Sequence, residues 1–205
     1  MRLSILIPSL KSRQELLSDL VCGLILQCGI ITHIESFIES GCTILILKFS
    51  SVEIITAIDN KCVTTGEKRN ILLKLAKNEY VTSIDDDDYV YPYFVEEILS
   101  AIQSNPDCVA TNGIITTDGK DSIEWRLSKD YQNVTVCDCG KNIYLRTTNH
   151  ISPVRRELAL KAGFPNISNA EDKEYSIRLN PYLKTEIKID KPMYWYRFET
   201  INKSY

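Results

Sequence analysis

The residues best able to do chemistry in this sequence are four consecutive aspartates, Asp85 to Asp88, which follow an apolar segment at positions 80–84. Adjacent carboxylates repel one another, so this aspartate run raises the free energy of the folded chain unless a cation or strong hydrogen-bond donors neutralise it. Oxygen ligands at a strand end suit Mg²⁺ or Mn²⁺, which commonly take one or two carboxylates and add water and phosphate oxygens. The pattern favours a divalent-cation site over a solvated acidic turn, the usual fate of a charge run.

A second acidic pair, Glu171-Asp172, stands at the start of a helical pattern at positions 171–179. Positions 168–171 have the spacing of a capping box, in which Glu171 bonds an amide at the helix start. Asp172 would then complement the positive end of the helix dipole. The alternative is catalytic, because a carboxylate within reach of a hydroxyl group can take its proton as a general base. Taken alone, these residues favour the capping role.

The elements that must position these acids alternate between strand and helix patterns. Strand-like segments at 3–7, 44–48, 53–58 and 80–84 are interleaved with helical periods at 14–27, 67–78 and 92–100. This alternation predicts an α/β fold with a mainly parallel central sheet and helices on both faces. Ligands of such sheets bind at the carboxyl ends of the strands, so the ends at Pro8, Asp59 and Asp85 are expected to share one crevice.

The local patterns give further expectations. Asp59-Asn60, taken alone, favours a turn. Lys68 is expected on the outward face of the helix at 67–78, together with Lys74 and Lys77. His33 is expected on a helix face or in a loop. In the second half of the chain we expect strands at 108–116, 142–147, 187–189 and 193–198, and helices at 153–162 and 171–179.

Composition limits the classes of protein. The 205 residues suffice for a single domain with one sizeable core. The 24 Lys+Arg against 27 Asp+Glu, four of which form the aspartate run, argue against indiscriminate nucleic-acid binding. Seven scattered cysteines with no secretory signal indicate a reducing, cytoplasmic location. The most apolar stretch, 20–34, is interrupted and too short to span a bilayer.

Several groups of residues together indicate a family. They occur in its order and roughly its spacing, at positions 4–9, 59–60, 66–70, 80–88 with Pro92, 163–164, and 171–172 with 178–179. The chain resembles the GT-A nucleotide-sugar glycosyltransferases of family 2 over nearly its whole length. The resemblance implies a GT-A fold in one domain, 1–205, with a nucleotide-binding half at 1–100 and an acceptor-binding half at 101–205. It also implies a nucleoside-diphosphate sugar donor, a UDP-sugar being favoured, Mn²⁺ or Mg²⁺, and inversion at the anomeric carbon.

The resemblance also assigns the chemical roles. Asp172 matches the general base of the family. Asp87 matches the acid that contacts the metal, while Asp85 or Asp86 would reach the ribose or a metal-bound water. The leaving diphosphate develops negative charge, which a metal ion stabilises.

Further positions match nucleotide and substrate contacts of the family. Pro8, Ser9, Asp59 and Arg69 correspond to the nucleotide site, with Asp59 accepting a hydrogen bond from the base. The contacts suggested for the acceptor or the diphosphate are Glu171, Arg197 and His150. For Arg69 the simpler alternative is a cation on a helix face, and for His150 a hydrogen-bonded loop histidine. Leu10-Lys11 departs from the family, which usually has an aromatic residue and an asparagine there, so the preference for uracil is less certain.

Other functions fit part of the pattern. A nucleotidyltransferase also uses paired acids and a metal, but normally has a glycine-rich, basic first loop. A non-catalytic protein of this fold would bind nucleotide sugars without needing Asp172. Positions 65–70 and 149–156 are similar to small transferases of phages and large viruses, some of which glycosylate hydroxymethylated bases in DNA. A DNA acceptor would need a basic groove, and the local candidates are Lys141, Arg146, Arg155 and Arg156. A saccharide acceptor is favoured because the net charge is −3.

Overall fold

The structure is a computed structural model that describes residues 1–200. The first half of the chain alternates strands with helices. Its elements are β1 (Leu3–Leu10), α1 (Gln14–Cys28), β2 (His33–Glu39), β3 (Cys42–Lys48), β4 (Val52–Asp59), α2 (Thr65–Leu75), β5 (Tyr80–Ser83), β6 (Tyr89–Val90) and α3 (Phe94–Ala101).

The second half contains more strand than helix. Its elements are β7 (Cys108–Thr117), β8 (Lys120–Leu127), β9 (Val134–Asp138), β10 (Lys141–Arg146), β11 (Val154–Arg155), α4 (Arg156–Ala162), α5 (Glu171–Leu179) and β12 (Glu186–Phe198).

The twelve strands of residues 1–200 belong to one mixed sheet, in which ten follow the order β2-β3-β4-β1-β5-β11-β7-β8-β10-β9. β12 lies parallel to β7 and also pairs with β6. The central strands β4, β1 and β5 are parallel, and Leu3 of β1 is in register with Val52 on one side and Tyr80 on the other. Strands at both ends of the sheet are antiparallel to their neighbours. The predicted α/β fold with parallel central strands is therefore confirmed.

The sheet separates two hydrophobic cores, as the alternation of β1 requires. Leu3, Ile5 and Ile7 face a core that includes residues of α1 and α3. Leu6 points the other way, into a core that includes residues of α2, α4 and α5. Helices therefore cover both faces, and the carboxyl ends of the central strands are left open between them.

Helix α2 begins against a loop from the second half of the chain. Thr64 caps it, because its Oγ1 accepts a hydrogen bond from the Glu67 amide at 3.1 Å. The Gly66 amide donates to the Ile167 carbonyl at 3.0 Å. A Cβ atom on Gly66 would lie 1.8 Å from the Pro165 carbonyl oxygen. The absence of a side chain at position 66 therefore lets helix and loop touch.

Some local expectations are wrong. His33 begins β2, an edge strand whose residues are almost all exposed, and not a helix or loop. The helix expected at 153–162 starts at Arg156, after the short strand β11. The strands expected at 187–189 and 193–198 form one strand, β12, with irregular register around Pro192. The sequence patterns do not predict the partly buried strand β8 or the exposed strand β9.

Two wider expectations can be compared with the structure. All seven cysteines are free thiols. No helix within residues 1–200 has both the length and the apolar composition needed to cross a bilayer.

Candidate functional site

The carboxyl ends of the three central strands are joined by direct hydrogen bonds. Lys68, on α2, donates to the Ser9 carbonyl at 2.7 Å and forms a salt bridge with Asp59. The Ser9 hydroxyl donates to Asp86 Oδ2 at 2.6 Å. The neighbouring Pro8 is buried in β1, in register with Ala57 of β4. The predicted meeting of the strand ends at Pro8, Asp59 and Asp85 in one place is thus confirmed.

Lys68 differs from its expected position, because it is buried and not on the outward face. Its ammonium group pairs with Asp59, which also accepts hydrogen bonds from the amides of Cys62 (2.8 Å) and Val63 (3.0 Å). Burial would raise the pKa of Asp59, but the bonds to Lys68 and these amides outweigh it and lower the pKa. Both oxygens of Asp59 therefore have partners within the chain, in agreement with its reading as a turn residue. Its contact with the base stays a prediction.

Asp86 and Asp87 share one cation. Arg13 Nη1 lies 2.8 Å from Asp86 Oδ1 and 3.0 Å from Asp87 Oδ2. The Asp86 side chain is 3% exposed, whereas that of Asp87 is 35% exposed. Burial, together with the charges of Asp85 and Asp86, raises the pKa of Asp87 although Arg13 lowers it. Of these two carboxylates, only Asp87 is open to a ligand.

Asp85 is held from the opposite side. Arg69 Nη2 lies 2.7 Å from Asp85 Oδ1, and His150 Nε2 lies 3.6 Å from Asp85 Oδ2. Burial would raise the pKa of Asp85, but Arg69 and His150 outweigh it and lower the pKa. Arg69 also donates to Ser83 at 2.9 Å, and its Nε lies 3.3 Å from Glu171 Oε1. Arg69 thus joins the aspartate run to the start of α5.

Arg69 is 3% exposed, so it is not a surface cation on a helix face. The nucleotide contact expected of it stays a prediction.

Asp88 is buried against β12. Its Oδ2 accepts a hydrogen bond from the Tyr194 hydroxyl at 2.7 Å, and its Oδ1 accepts one from the Arg197 amide at 2.9 Å. Burial and the charge of Asp85 raise the pKa of Asp88 well above its ordinary value, against the effect of these two bonds. The Arg197 side chain itself pairs with Glu199 at 3.2 Å and lies over the Tyr89 ring. Its contact with a diphosphate stays a prediction.

The start of α5 differs from the expected capping box. Ala170 precedes the helix with a left-handed backbone (φ 62°), and the helix start has no side-chain cap. Glu171 is buried and its carboxylate faces Arg69. The expected cap is wrong, because Glu171 neutralises a buried cation instead of bonding an amide. Asp172, half-buried, accepts a bond from Ser176 only through its backbone carbonyl, and within residues 1–200 its carboxylate has no bonded partner.

Tyr196 connects the two acidic groups electrostatically. It lies on β12 and is 37% exposed. Burial raises its pKa to about 12, and four carboxylates add to the effect, those of Asp88, Asp85, Asp87 and Asp172. The charges of both the aspartate run and Asp172 therefore act on Tyr196.

His150 lines a small cavity and lies beside Asp85. The cavity is bounded on its other sides by Arg69, Ser152 and Tyr175, among others. Within residues 1–200, neither ring nitrogen of His150 has a hydrogen-bond partner, and the Ser152 hydroxyl also lacks one. His150 lies in a loop, where its carbonyl accepts a hydrogen bond from the Ser83 amide at 2.8 Å, and its ring faces Asp85. A contact of His150 with a donor or a metal stays a prediction.

The aspartate run is the part of the site whose chemistry suits a metal ion. No group of three or more His, Cys, Asp or Glu residues in the described part of the chain forms a metal cage. A Mg²⁺ or Mn²⁺ ion held by one or two carboxylates and by substrate phosphates needs no such cage. Asp87 fits that requirement, because it is exposed and its neighbouring acids make an added positive charge favourable.

The family assignment comes from the sequence. The family model described as Glycosyl transferase family 2 matches residues 47–168, which is more than half of the chain. The chain belongs to this family. The matched segment of this family 2 chain includes α2, the aspartate run and His150, and ends before Asp172. No curated protein sequence matches the chain.

Solved structures show the same fold. The crystal structure of S. aureus TarS 1–349 matches with a TM-score of 0.64 at 18% identity, covering 96% of this chain and 60% of TarS 1–349. Its complex with UDP-GlcNAc matches with a TM-score of 0.65 at 18% identity, covering 96% of this chain and 58% of that one. The family 2 chain described here therefore spans about three-fifths of the TarS structures, and the likeness supports the expected GT-A fold.

Four residues of this site were not expected from the sequence as contacts. Arg13 and Lys68 neutralise strand-end acids, while Tyr194 and Tyr196 face the aspartate run from β12. The sequence carried a signal for Lys68 alone, since it lies one helical turn before Leu72, which is buried. The pairings of Arg13 and Tyr194 join residues more than 70 positions apart, so no local pattern indicates them.

The basic groove suggested for a DNA acceptor does not form beside the aspartate run. Arg155 is in register with Tyr80, at the end of β5 opposite to Asp85, and forms an ion pair with Asp107 at 3.2 Å. Lys141 and Arg146 lie on β10, near the far edge of the sheet.

Proposed function

We propose that this chain is a metal-dependent, inverting glycosyltransferase that moves a sugar from a nucleoside-diphosphate sugar to a hydroxyl acceptor. The family assignment supports the activity. The observation that carries the mechanism is a pair of accessible carboxylates: Asp87, which is 35% exposed and paired with Arg13, and Asp172 at the start of α5, whose carboxylate has no bonded partner within residues 1–200.

The carboxylates divide the work of the reaction. Asp87 would hold the divalent cation, which supplies charge stabilisation to the leaving diphosphate when bound. Asp172 would accept the proton of the attacking hydroxyl group, a step that typically contributes about 10²–10⁴-fold to the rate. Asp172 suits this role because its carboxylate has no bonded partner within residues 1–200. A general base must be free to bind a proton.

The neighbouring groups would position these two acids. Arg69 joins Asp85 to Glu171, so the donor side of the site and the start of the helix that bears Asp172 are held by one buried cation. The Ser9–Asp86 bond fixes the aspartate run against β1. These contacts restrict the distance between the metal-binding acid and the base, which favours an in-line attack.

A donor screen tests the proposal. UDP and UDP-GlcNAc are the first probes, because structures of TarS contain them. We expect Mn²⁺-dependent thermal stabilisation by UDP and slow release of free sugar from a UDP-sugar that the protein accepts. Binding without turnover, with any of a set of hydroxyl acceptors, would indicate a nucleotide-sugar-binding protein. Release of pyrophosphate from a nucleoside triphosphate would indicate a nucleotidyltransferase.

The distribution of basic residues bears on the choice of acceptor. We propose a saccharide acceptor, because the basic residues that a DNA groove would need are dispersed over the fold. Transfer to a saccharide at a rate independent of duplex DNA would support this choice. Duplex affinity that falls steeply with salt would contradict it.

A further inference from the structure

Arg13 contacts the aspartate run at Asp87, the carboxylate proposed to bind the metal ion. It ends the short helical turn Lys11–Arg13, which joins β1 to α1. One nitrogen, Nη1, bridges the two carboxylates of Asp86 and Asp87 at 2.8 and 3.0 Å. The Arg13 side chain is 37% exposed, so it is not fixed by burial.

The two carboxylates under Arg13 are not equivalent. Asp86 is buried and also accepts a hydrogen bond from Ser9 at 2.6 Å, so it belongs to the fixed structure. The Asp87 carboxylate is ten-fold more exposed, and within the described residues its ion-pair partner is Arg13 alone. The same Asp87 oxygen cannot serve a guanidinium group and a divalent cation at full strength, because the two positive charges repel one another at this distance.

Arg13 also has room to move. An open cavity of about 500 Å³ adjoins it, lined by residues 11–16. A guanidinium group is planar and binds the paired oxygens of a phosphate through two parallel hydrogen bonds. A diphosphate bound beside Asp87 would therefore offer Arg13 a second anionic partner close to the first.

We propose that Arg13 is a displaceable internal counter-ion, which neutralises Asp87 in the ligand-free protein and turns to the donor's diphosphate when a divalent cation takes its place. This inference rests on the proposed function. It adds that the divalent cation binds better together with a nucleoside diphosphate than alone. The cation binds weakly by itself, because it must displace Arg13. Cation and nucleoside diphosphate bind cooperatively, because each favours the same displaced position of Arg13, and such coupling is reciprocal.

The test compares Arg13→Gln with Lys11→Gln, a variant that removes one exposed positive charge from the same turn. Electron paramagnetic resonance of free Mn²⁺ measures the affinity for the metal alone. We expect Arg13→Gln to bind Mn²⁺ about five-fold more tightly than Lys11→Gln does, the lower end of typical coupling between binding events. In saturating Mn²⁺, calorimetry with UDP should show about ten-fold weaker binding to Arg13→Gln, because a charged hydrogen bond is lost.

The outcomes separate this inference from the proposed function. Equal Mn²⁺ affinities of the two variants overturn the counter-ion, and the proposed function stands if the wild-type protein still releases sugar from a UDP-sugar. Absence of any Mn²⁺ binding by the wild-type protein in the presence of UDP overturns both. If Arg13→Gln does not fold, Arg13→Lys is measured instead. A lysine keeps the charge and can bridge the same two oxygens, so this variant should behave like the wild-type protein, and a five-fold tighter Mn²⁺ affinity of Arg13→Lys would overturn the inference.

Discussion

The aspartate run after β5 and the Glu171-Asp172 pair on α5 are the two acidic regions of the site, and they are neutralised differently. In the aspartate run every carboxylate has a partner from the chain, including Arg69 for Asp85 and Tyr194 for Asp88. In the α5 pair, Glu171 is buried against Arg69, whereas the Asp172 carboxylate has no bonded partner within residues 1–200.

This difference matches the role proposed for each region, which is metal binding for the aspartate run and proton transfer for Asp172. In the proposed mechanism, metal binding needs a carboxylate that can exchange one cation for another, and Asp87 with Arg13 would be such a pair. Proton transfer needs a carboxylate that no cation holds, and Asp172 meets that condition. Acids whose oxygens are all bonded within the chain hold the structure of the site. Acids with fewer bonds are the candidates for binding the metal and for accepting a proton.

The largest expected effect separates Asp172 from Glu171. Asp172→Asn should lower turnover by about 10²–10⁴-fold, because the proton acceptor is lost, while UDP affinity and melting temperature change little. Glu171→Gln serves as the control, since it keeps an acceptor for Arg69 and should retain more turnover. Release of nucleoside diphosphate, calorimetry and thermal melts measure the three quantities. An Asp172→Asn protein as active as wild type would remove Asp172 as the base.

The next effect concerns Asp59, a fully bonded acid. Asp59→Ala leaves the buried Lys68 ammonium without its carboxylate, so the free energy of unfolding should fall by about 3–5 kcal/mol. Denaturant unfolding measures it. A stable Asp59→Ala protein that binds UDP weakly would show instead that Asp59 serves the nucleotide.

Asp59 also predicts an acid dependence. Its pKa lies below the ordinary value of 3.8, so its contribution to stability is complete above that pH and is lost as the pH falls through the lowered pKa. Unfolding free energies measured between neutral and acidic pH should therefore decline less steeply for Asp59→Asn than for the wild-type protein. Parallel curves would contradict the salt bridge.

A smaller effect distinguishes Asp86 from Asp87. Asp86→Asn should lower the free energy of unfolding by about 1–3 kcal/mol, because it weakens a buried charged bond to Ser9. Asp87→Asn should leave the unliganded protein nearly as stable, and should abolish the Mn²⁺-dependent stabilisation by UDP. Thermal melts with and without Mn²⁺ and UDP give both results. Unchanged stabilisation of Asp87→Asn would move the metal to another ligand.

The smallest effect is expected at Arg197. Its side chain pairs with Glu199 near the surface, so Arg197→Ala should change the free energy of unfolding by about 1 kcal/mol or less. Because the fold is little affected, the UDP affinity of this variant directly tests the predicted diphosphate contact. An affinity equal to that of the wild-type protein would exclude it.

The sequence predicts the parts of this protein that local patterns determine. Buried strands such as β1 and β4 are rich in isoleucine, leucine and valine, and the polar residues at their ends indicate the crevice. The exposed strands β2 and β9 escape such reasoning, because their burial does not alternate. The sequence pattern therefore predicts a strand reliably only where the strand is buried in the hydrophobic core.

The partners of the site acids could not be predicted in the same way. Glu171 has the sequence of a cap, but a cation 102 positions away is its partner. The charge of Lys68 favours the surface, yet Lys68 is buried and bonded to Ser9 and Asp59. Such pairings depend on the folded sheet, which brings together residues that are distant along the chain.

Gly66 sets how closely helix α2 approaches the loop that leads to α5. The start of α2, which carries Lys68 and Arg69, rests directly on the loop at 165–167 that leads to α5. Even one methyl group at position 66 would act as a wedge between the two, since it would overlap the Pro165 carbonyl. The wedge would push apart the helices that bear Arg69 and Glu171 without removing a single charged group. The distance between the acids of this site thus depends on the close backbone contact that Gly66 allows.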